Sequence, residues 1–228
     1  AYDGSGNGNH GTISGATYTH GIGAPVAQTA VIDWNKASNL LVQSNSFSTT
    51  WSSYLTSLTS GQSGYDGGTN AWLLSKSGAY GSIFQVNTLT TGNYTLSVYM
   101  KAGTNNKGSI RITSGSGNDI RRQINLTNGT IAAASGSSDN PFNEVSTDLG
   151  NGWWRFSISA TMNSTSITTN IYAGDTADTS GNIYIQDAQL EKTDEVGSYV
   201  ETFATAQTSE VLLPQGLTTG RDITGVNL

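Results

Sequence analysis

The chain has 228 residues, no cysteine, 11% charged residues and a formal net charge of −6. The lack of cysteine excludes disulfides and thiolate metal sites. The acidic balance, without any basic tract, makes nucleic acid and anionic membrane surfaces poor partners. No apolar run approaches the roughly 20 residues that a membrane-spanning helix needs, so membrane insertion is not expected.

The ends of the chain differ in composition from the middle. Residues 1–35 are rich in glycine and carry little apolar surface, and the two histidines, His10 and His20, lie there. Residues 207–228 have only scattered apolar positions. Because neither end has enough apolar surface to bury a core alone, we predict one self-sufficient domain at 36–206. The N-terminal segment 1–35 and a C-terminal connector, 207–228, flank it.

Apolar residues recur at every second position in the middle of the chain, which predicts half-buried strands. The runs, in chain order, are 93–101, 108–114, 119–126, 152–159, 167–173 and 182–191. The residues predicted to face the core are Tyr94, Leu96, Val98, Met100, Ile110, Ile112, Ile120, Ile124, Leu126, Trp154, Phe156, Ile158, Ile167, Ile171, Ile183, Ile185, Ala188 and Leu190. In the last run the inward phase changes after Ile185, which predicts a β-bulge near Gln186 and Asp187.

The links between these runs consist mainly of Gly, Ser, Thr, Asn and Asp, and the strands recur about every dozen residues. No apolar pattern of helical period lasts longer than two turns. Strand spacing of this kind is typical of an antiparallel sandwich rather than of βαβ units. The sequence therefore predicts an all-β fold, an antiparallel β-sandwich of the jelly-roll type.

Several motifs occur in an order that resembles a known family. They are NLLVQSNSFSTTW at 39–51, GSIFQVNTLTTGNYTLSVYMKAG at 81–103, LGNGWWRFSIS at 149–159 and GNIYIQDAQLE at 181–191. Together they resemble the carbohydrate-binding-module-like jelly rolls of tailed-phage structural proteins such as tail fibres and head spikes. The resemblance covers about residues 37–203.

The N-terminal stretch DGSGNGNHGTISGATYT, at 3–19, resembles a piece of a laminin-G-like or concanavalin-like lectin sandwich. On this reading, segment 1–35 is a remnant of a lectin-like module or a linker from one. The two resemblances imply a longer mosaic adhesin on the virion surface, or a secreted protein as the alternative. Its expected partners are cell-surface or environmental polysaccharide and neighbouring modules or subunits of the same assembly.

Sugar recognition by a sheet uses aromatic rings that stack on the C–H side of a pyranose and polar groups that bond its hydroxyls. The outward positions of the predicted strands supply both types, and we take as candidates Tyr99, Trp153, Tyr172, Arg111, Arg121 and Arg155. Three alternatives stay open for Trp153: cover by a loop or a terminal segment, a sugar platform, or contact with another subunit. For the arginines, solvated sheet positions are the alternative.

A second set of aromatic residues lies in the predicted links and offers a rim site instead. The members of this set are Trp51, Tyr54, Tyr65, Trp72 and Tyr80.

The family resemblance also implies a structural Ca²⁺ where the first and last strands meet, with an Asp from the last strand. Asp187 has that position, whereas Ser46 stands where many relatives carry a carboxylate. Calcium takes oxygen ligands, which both residues offer. The alternative is that Asp187 caps the bulge or meets an outward arginine.

Catalytic motifs are missing from the sequence. There is no Gly-x-Ser-x-Gly and no His-Glu-x-x-His, and the acidic residues Glu191, Asp194 and Glu195 form a charge run after the last strand. The sequence thus predicts a non-enzymatic glycan-binding or adhesion module of a larger phage surface protein. The alternatives are a structural module, such as a capsid decoration, fibre spacer or oligomerisation unit, and an accessory module of a polysaccharide-degrading enzyme.

Overall fold

Two six-stranded antiparallel sheets make up the part of the chain that the structure describes. A computed structural model describes residues 38–115, 118–134, 137 and 140–207. The strands found there are β1 (Ser52–Tyr54), β2 (Thr56–Gln62), β3 (Ala71–Lys76), β4 (Ser82–Thr88), β5 (Gly92–Ala102), β6 (Lys107–Thr113), β7 (Asp119–Asn125), β8 (Ile131–Ala133), β9 (Asn143–Gly150), β10 (Trp153–Met162), β11 (Ser166–Tyr172) and β12 (Gly181–Glu191).

The first sheet has the strand order β1-β4-β11-β6-β7-β8, and the second has the order β2-β3-β12-β5-β10-β9. All paired strands in both sheets are antiparallel. Among the described residues no helix is present that could cross a membrane. The predicted fold class, an all-β antiparallel sandwich of the jelly-roll type, is confirmed.

The core lies between the two sheets and consists of the residues that the period-2 pattern placed there. All the predicted inward residues are buried in one cluster except Trp154, which is partly buried against it. The indole Nε1 of Trp154 donates to the carbonyl of Leu126 at 3.0 Å. Gly129 makes room for the ring, because a Cβ on it would lie 2.2 Å from the indole.

The predicted bulge is present in β12. The pairing of β12 with β5 shifts by one residue between Gln186 and Ala188, and Asp187 between them has a φ of +49°. The extra residue changes which face each later side chain meets. Ile185 and Ala188 are therefore both in the core, as the change of phase predicted.

An ion pair between Arg122 and Glu144 joins the two sheets at one edge of the sandwich. Arg122 has the inward phase of β7, between Ile120 and Ile124, and its side chain is buried. Its Nε lies 2.9 Å from an oxygen of Glu144 on β9 of the second sheet, and its Nη2 donates to Asn140 Oδ1 at 2.7 Å. The charge is compensated by groups that also join the two sheets.

The two ends of the described region meet. The backbones of Asn39 and Gln207 exchange two hydrogen bonds, at 2.8 and 2.9 Å. The predicted boundaries of the 36–206 domain stay a prediction. The N-terminal segment 1–35, with His10 and His20, lies outside the described residues, as does 208–228 of the predicted connector.

Asn39 is a fully buried hub that joins the start of the domain to its last strand and to the segment after it. Its Nδ2 donates to the carbonyls of Ala188 at 2.9 Å and Val200 at 2.8 Å. Its Oδ1 accepts from the backbone N–H groups of Leu41 at 3.1 Å and Leu190 at 3.2 Å. One side chain thus bonds four backbone groups, and three of these hydrogen bonds are buried.

We expect Asn39→Ala to lower the free energy of unfolding by on the order of 3 kcal/mol, because it leaves these four backbone groups without partners. Denaturant unfolding followed by tryptophan fluorescence measures the change. The matched control is Asn128→Ala at an exposed turn, for which we expect a loss below about 1 kcal/mol. Equal losses for the two variants would contradict the role assigned to Asn39.

Candidate functional site

The six predicted ligand-binding residues divide between the outer faces of the two sheets. Tyr99, Trp153 and Arg155 lie on the second sheet, where Arg155 pairs directly with Tyr99 across β10 and β5. Tyr172, Arg111 and Arg121 lie on the first sheet, on β11, β6 and β7. The structure therefore does not bring the six together into one site.

The outer face of the second sheet is covered by the chain itself. Tyr65, from the loop 63–70 between β2 and β3, stacks on Tyr99 with ring centroids 4.3 Å apart and an interplanar angle of 13°. Tyr199, from the covering segment 192–207, meets the same ring edge-on at 6.1 Å. Trp153 is 1% exposed beneath these rings. Of the three alternatives for Trp153, the structure shows cover by a loop, so Trp153 offers no open platform here, and neither does the buried Tyr99.

The covering segment is held to β12 by polar contacts. Gln189 donates to the carbonyl of Ser198 at 3.0 Å and accepts from the N–H of Val200 at 2.7 Å. Glu191 accepts from the N–H of Gly197 at 2.9 Å, and burial raises the pKa of its carboxyl group.

The guanidinium of Arg155 makes internal contacts in the same covered region. Its Nη2 donates to Ser97 Oγ at 3.1 Å, and its guanidinium lies 5.2 Å from the centroid of the Tyr99 ring. These internal contacts of Arg155 leave the outer face of the second sheet less suited to a ligand than its sequence suggested.

Asp187 lies where the loop 63–70 and the covering segment meet the second sheet. It is 5% exposed, and Tyr65 donates its hydroxyl to Asp187 Oδ2 at 2.9 Å. Burial raises the pKa of Asp187 to about 6, and the charges of Asp66 and Glu201 act in the same direction. Hydrogen bonds from Tyr65 and Tyr199 oppose that rise but do not cancel it.

The surroundings of Asp187 do not resemble a calcium cage. Its carboxylate accepts from tyrosine hydroxyls, and its backbone N–H donates to Asn45 Oδ1 at 3.3 Å, so the neighbours are largely committed to hydrogen bonds. Ser46 follows Asn45 in a turn, and the N–H of Ser46 donates to the carbonyl of Gln43. No group of three or more His, Cys, Asp or Glu side chains suited to a metal occurs in the part of the chain described. The residues around Asp187 do not fit a Ca²⁺ ion. Calcium at Asp187 and Ser46 stays an untested prediction.

The outer face of the first sheet is organised differently. Directly paired residues of antiparallel strands share a face, so the strand register places side chains in rows across the sheet. The three rows are Tyr54, Ser82, Tyr172, Ser109 and Gln123; Ser52, Phe84, Asn170, Arg111 and Arg121; and Val86, Thr168, Thr113 and Asp119. We call these residues, with Tyr80 from the preceding loop, the first-sheet face.

One half of the first-sheet face is apolar and open. Tyr54 is 54% exposed and Val86 60%, and the partly exposed Phe84 lies near both in the register. Tyr80, 48% exposed, is contributed by the loop before β4. Exposed apolar residues that cluster in this way mark a contact surface more often than scattered ones do.

The other half of the face is polar. Arg111 donates from Nε and Nη2 to the two carboxylate oxygens of Asp119, each at 2.6 Å, and this pairing raises the pKa of Arg111. The guanidinium of Arg121 lies between two aromatic rings, 5.6 Å from the centroid of Tyr80 and 5.2 Å from that of Tyr172. Tyr172 is buried there, so its ring, predicted as a platform, is covered as well.

Three oxygens on this face have no hydrogen-bond partner among the described residues. They are Oδ1 of Asn170, Oγ1 of Thr113 and Oε1 of Gln123, and all three are buried. Buried polar atoms in folded proteins are normally hydrogen-bonded, and each exception costs free energy. All three atoms are acceptors or, for the threonine, can act as one, so a ligand that donates hydrogen bonds would satisfy them.

The five loop aromatics of the alternative rim site lie in three places, and Tyr65 is the one that covers the second sheet. Trp51 and Trp72 pack edge-on against Phe47 at ring-centroid distances of 5.2 and 6.2 Å, so they belong to the core region. Tyr54 and Tyr80 are exposed at the first-sheet face.

Among the residues of the first-sheet face that sequence reasoning did not single out are Phe84, Thr113, Asp119 and Asn170. Three of them lie two residues from a candidate on the same strand, so the same alternation could have found them. Thr113 follows Arg111, Asp119 precedes Arg121, and Asn170 precedes Tyr172. Phe84 lies in β4, which the alternation analysis did not assign.

Comparison with solved structures gives carbohydrate-binding modules and a phage protein. TmCBM61 in complex with β-1,4-galactotriose is 14% identical, with 68% of this chain and 99% of that one covered and a TM-score of 0.40. The CBM22-1 xylan-binding domain of Xyn10C from Paenibacillus barcinonensis is 13% identical, with 71% and 99% covered and a TM-score of 0.41. The enzymatically active domain of bacteriophage CBA120 tailspike protein 4 is 13% identical, with 68% and 21% covered and a TM-score of 0.39.

Similarity at this level is too low to transfer a ligand or a residue role to this chain. No protein-family model matches the chain, and no curated protein sequence matches it significantly.

The raised pKa of Asp187 makes stability depend on pH. Unfolded Asp187 ionises near pH 3.8 and folded Asp187 near pH 6, so ionisation favours the unfolded chain as the pH rises from 4 to 6. We therefore compare the free energy of unfolding of Asp187→Asn with that of the wild type. We expect the difference, variant minus wild type, to rise between pH 4 and pH 6. The expected rise is about 3 kcal/mol, from 1.36 kcal/mol per pKa unit. Denaturant unfolding at pH 4 to 8 measures it.

Asn tolerates the positive φ at position 187 and keeps an acceptor for the two tyrosines. The control is Asp148→Asn, at an exposed carboxylate, which separates the effect of burial from the effect of removing one charge. A stability difference for Asp187→Asn that stays flat with pH would contradict the assignment.

Proposed function

We propose that this chain is a non-catalytic glycan-binding module that takes a saccharide on the first-sheet face. The observation that carries the proposal is the set of three unpartnered oxygens on Asn170, Thr113 and Gln123, on the same face as the exposed Tyr54 and Tyr80. Saccharides present hydroxyl donors and apolar C–H faces on one molecule. The first-sheet face offers acceptors and aromatic rings side by side, in a rigid sheet that needs little ordering on binding.

The size of the face suits an oligosaccharide. The row that ends in Arg121 crosses five strands, and at about 4.8 Å between neighbouring strands it is about 19 Å long. Successive residues of one strand on the same face are about 6.6 Å apart. The apolar half and the polar half of the face are therefore close enough to contact one short chain of sugars.

Hydrolysis of the bound glycan is not part of the proposal. Glycosidases use two carboxyl groups about 5 to 10 Å apart on either side of the scissile bond. Asp119 is the one carboxylate in the three rows of the described face, and both of its oxygens are bonded to Arg111. A single carboxylate held in this way supports binding rather than bond cleavage.

The resemblance to tail-fibre modules supports a position in a longer adhesin on a phage surface. Weak binding by one copy is strengthened in such an assembly when several copies engage one polysaccharide.

A structural role in such an assembly is the second candidate. It is favoured by the exposed apolar residues Phe142, Val145 and Leu149, which lie in and next to the edge strand β9. Light scattering after size exclusion tests it: a stable oligomer would support the structural role, and a monomer would favour glycan binding.

Binding tests the proposed function directly. We expect the chain to bind one or more oligosaccharides of a broad panel, measured by glycan array and then by calorimetry, and Tyr54→Ala to weaken binding about tenfold or more. The matched control is Phe203→Ala, an exposed aromatic on the covering segment, which should leave the affinity unchanged. Loss of binding in both variants, or in neither, would argue against the first-sheet face.

Tyr80 has a backbone conformation that its side chain does not favour. Its φ is +61°, which is rare for a bulky residue that is not Gly, Asn or Asp, and costs about 1–2 kcal/mol. Its N–H donates to the carbonyl of Thr176 at 2.8 Å, and its ring lies over Arg121 with much of the ring exposed. Strain of this kind often accompanies ligand contacts.

For Tyr80→Gly we expect affinity for the glycan to fall about tenfold while the free energy of unfolding changes by less than about 1 kcal/mol. Relief of the backbone strain offsets the lost ring contact with Arg121 and the greater freedom of the unfolded chain. Calorimetry and denaturant unfolding measure the two quantities. Tyr80→Phe keeps the ring and should retain the affinity. If Tyr80→Gly unfolds at much lower denaturant, the residue is structural instead.

A further inference from the structure

We propose that Asp119 sets the charge selectivity of the first-sheet face, so that it takes neutral, hydroxyl-rich saccharides and disfavours those that carry carboxylate or sulfate groups. This inference rests on the proposed function and assigns its ligand a chemical class. It also assigns Asp119, which the sequence analysis passed over, a role as the residue that determines specificity.

The first observation is the position of the two arginines. Arg111 on β6 is the direct cross-strand partner of Arg121 on β7, and both side chains have the outward phase. Like charges directly opposite each other repel, and two guanidinium groups side by side would form an anion-binding surface. Without a counter-charge, this face would select acidic glycans.

The second observation is that Asp119 supplies that counter-charge. Its carboxylate accepts hydrogen bonds from both Nε and Nη2 of Arg111, each at 2.6 Å. Its Oδ2 lies 4.0 Å from Nη2 of Arg121. The two-bond geometry is the one that a ligand carboxylate or sulfate would otherwise use. Asp119 therefore occupies the two N–H donors of Arg111 with which an anionic sugar would otherwise bond.

The pair lies where a ligand would meet it. The side chains of Arg111 and Asp119 are 24% and 25% exposed, so the ion pair is at the surface of the face and not beneath it. An anionic saccharide that approaches Arg111 also approaches the carboxylate of Asp119 and is repelled by it. A neutral saccharide meets no such opposition.

The third observation is the balance of donors and acceptors. Three oxygens of this face, on Asn170, Thr113 and Gln123, have no hydrogen-bond partner among the described residues, and the first two belong to residues more than nine-tenths buried. A sugar hydroxyl donates a hydrogen bond to such an oxygen, whereas an ionised carboxylate or sulfate only accepts. Each hydroxyl that is replaced by an anionic group removes a donor that this face lacks.

The test compares matched oligosaccharides on the wild-type chain and on Asp119→Asn. Neutral β-1,4-linked gluco-, manno- and galacto-oligosaccharides are each paired with a counterpart oxidised at C6 to the uronate and with one that carries sulfate esters. Calorimetry gives the affinity ratio of neutral to anionic ligand. For the wild type we expect a ratio of at least ten and affinities for neutral ligands that hardly change between 20 and 500 mM salt.

For Asp119→Asn we expect that ratio to fall at least tenfold, with anionic binding that weakens as salt is added. Replacing the carboxylate by an amide removes its negative charge, so the charge of Arg111 is no longer neutralised toward the ligand. The matched control is Glu144→Gln, which removes the carboxylate partner of Arg122 at the edge of the sandwich and should leave the ratio unchanged.

The outcomes separate this inference from the proposed function. A wild type that binds neither class of oligosaccharide would remove the proposed function, and this inference with it. A wild type that binds neutral ligands while Asp119→Asn shows the same ratio would overturn the role of Asp119 alone. A wild type that prefers anionic ligands would overturn the selectivity but keep the glycan-binding function. If Asp119→Asn does not fold, the wild-type ratio and its salt dependence decide.

Discussion

Strict alternation of side chains across two packed sheets is the constraint on which the rest of this structure depends. Each strand commits every second residue to the shared core, so the remaining residues face outward whether or not anything covers them. The one place where the alternation changes is the bulge at Asp187, which keeps Ile185 and Ala188 both in the core. The bulge also turns an acidic side chain toward the outer face of the second sheet.

The two outer faces meet this constraint in opposite ways. On the second sheet, aromatic and polar residues that alternation pushed outward are buried again by the loop 63–70 and the covering segment. These two pieces of chain supply Tyr65 and Tyr199 and converge on Asp187. On the first sheet no comparable cover appears among the described residues, and Tyr54, Tyr80 and Val86 remain open. The side on which the described residues leave aromatic and polar groups uncovered is the better candidate for a ligand.

The sequence was sufficient for the fold because the fold depends mainly on local pattern. Period-2 alternation identified the inward residues of six strands and the bulge, and these elements needed no knowledge of distant contacts. It was insufficient where the environment of a residue comes from elsewhere in the chain. Trp153 is covered by Tyr65, 88 residues away in sequence, and Arg122 is neutralised by Glu144 of the other sheet. No local signal in the sequence contains either contact.

The candidate site shows the same limit in a sharper form. Alternation gave the face of Arg111, Arg121 and Tyr172 correctly, but it placed them in one set with Tyr99, Trp153 and Arg155 because both groups point outward. Which sheet a strand joins depends on the pairing order, and that order was not predicted. Only the pairing shows that Asn170, Arg111 and Arg121 form one row.

The low charge content of the chain gives this arrangement its physical consequence. With 11% charged residues, most of the polarity is carried by hydroxyl and amide groups, which bind weakly and directionally rather than through long-range attraction. On the first-sheet face Asp119 balances the charge of Arg111, and the second guanidinium, that of Arg121, is buried against Tyr80 and Tyr172. What remains for a ligand is a set of fixed acceptors beside aromatic rings, whose desolvation cost was met when the chain folded. A surface of this kind gains most from a partner that brings hydroxyl donors and apolar C–H groups at fixed spacing, and a saccharide meets both requirements.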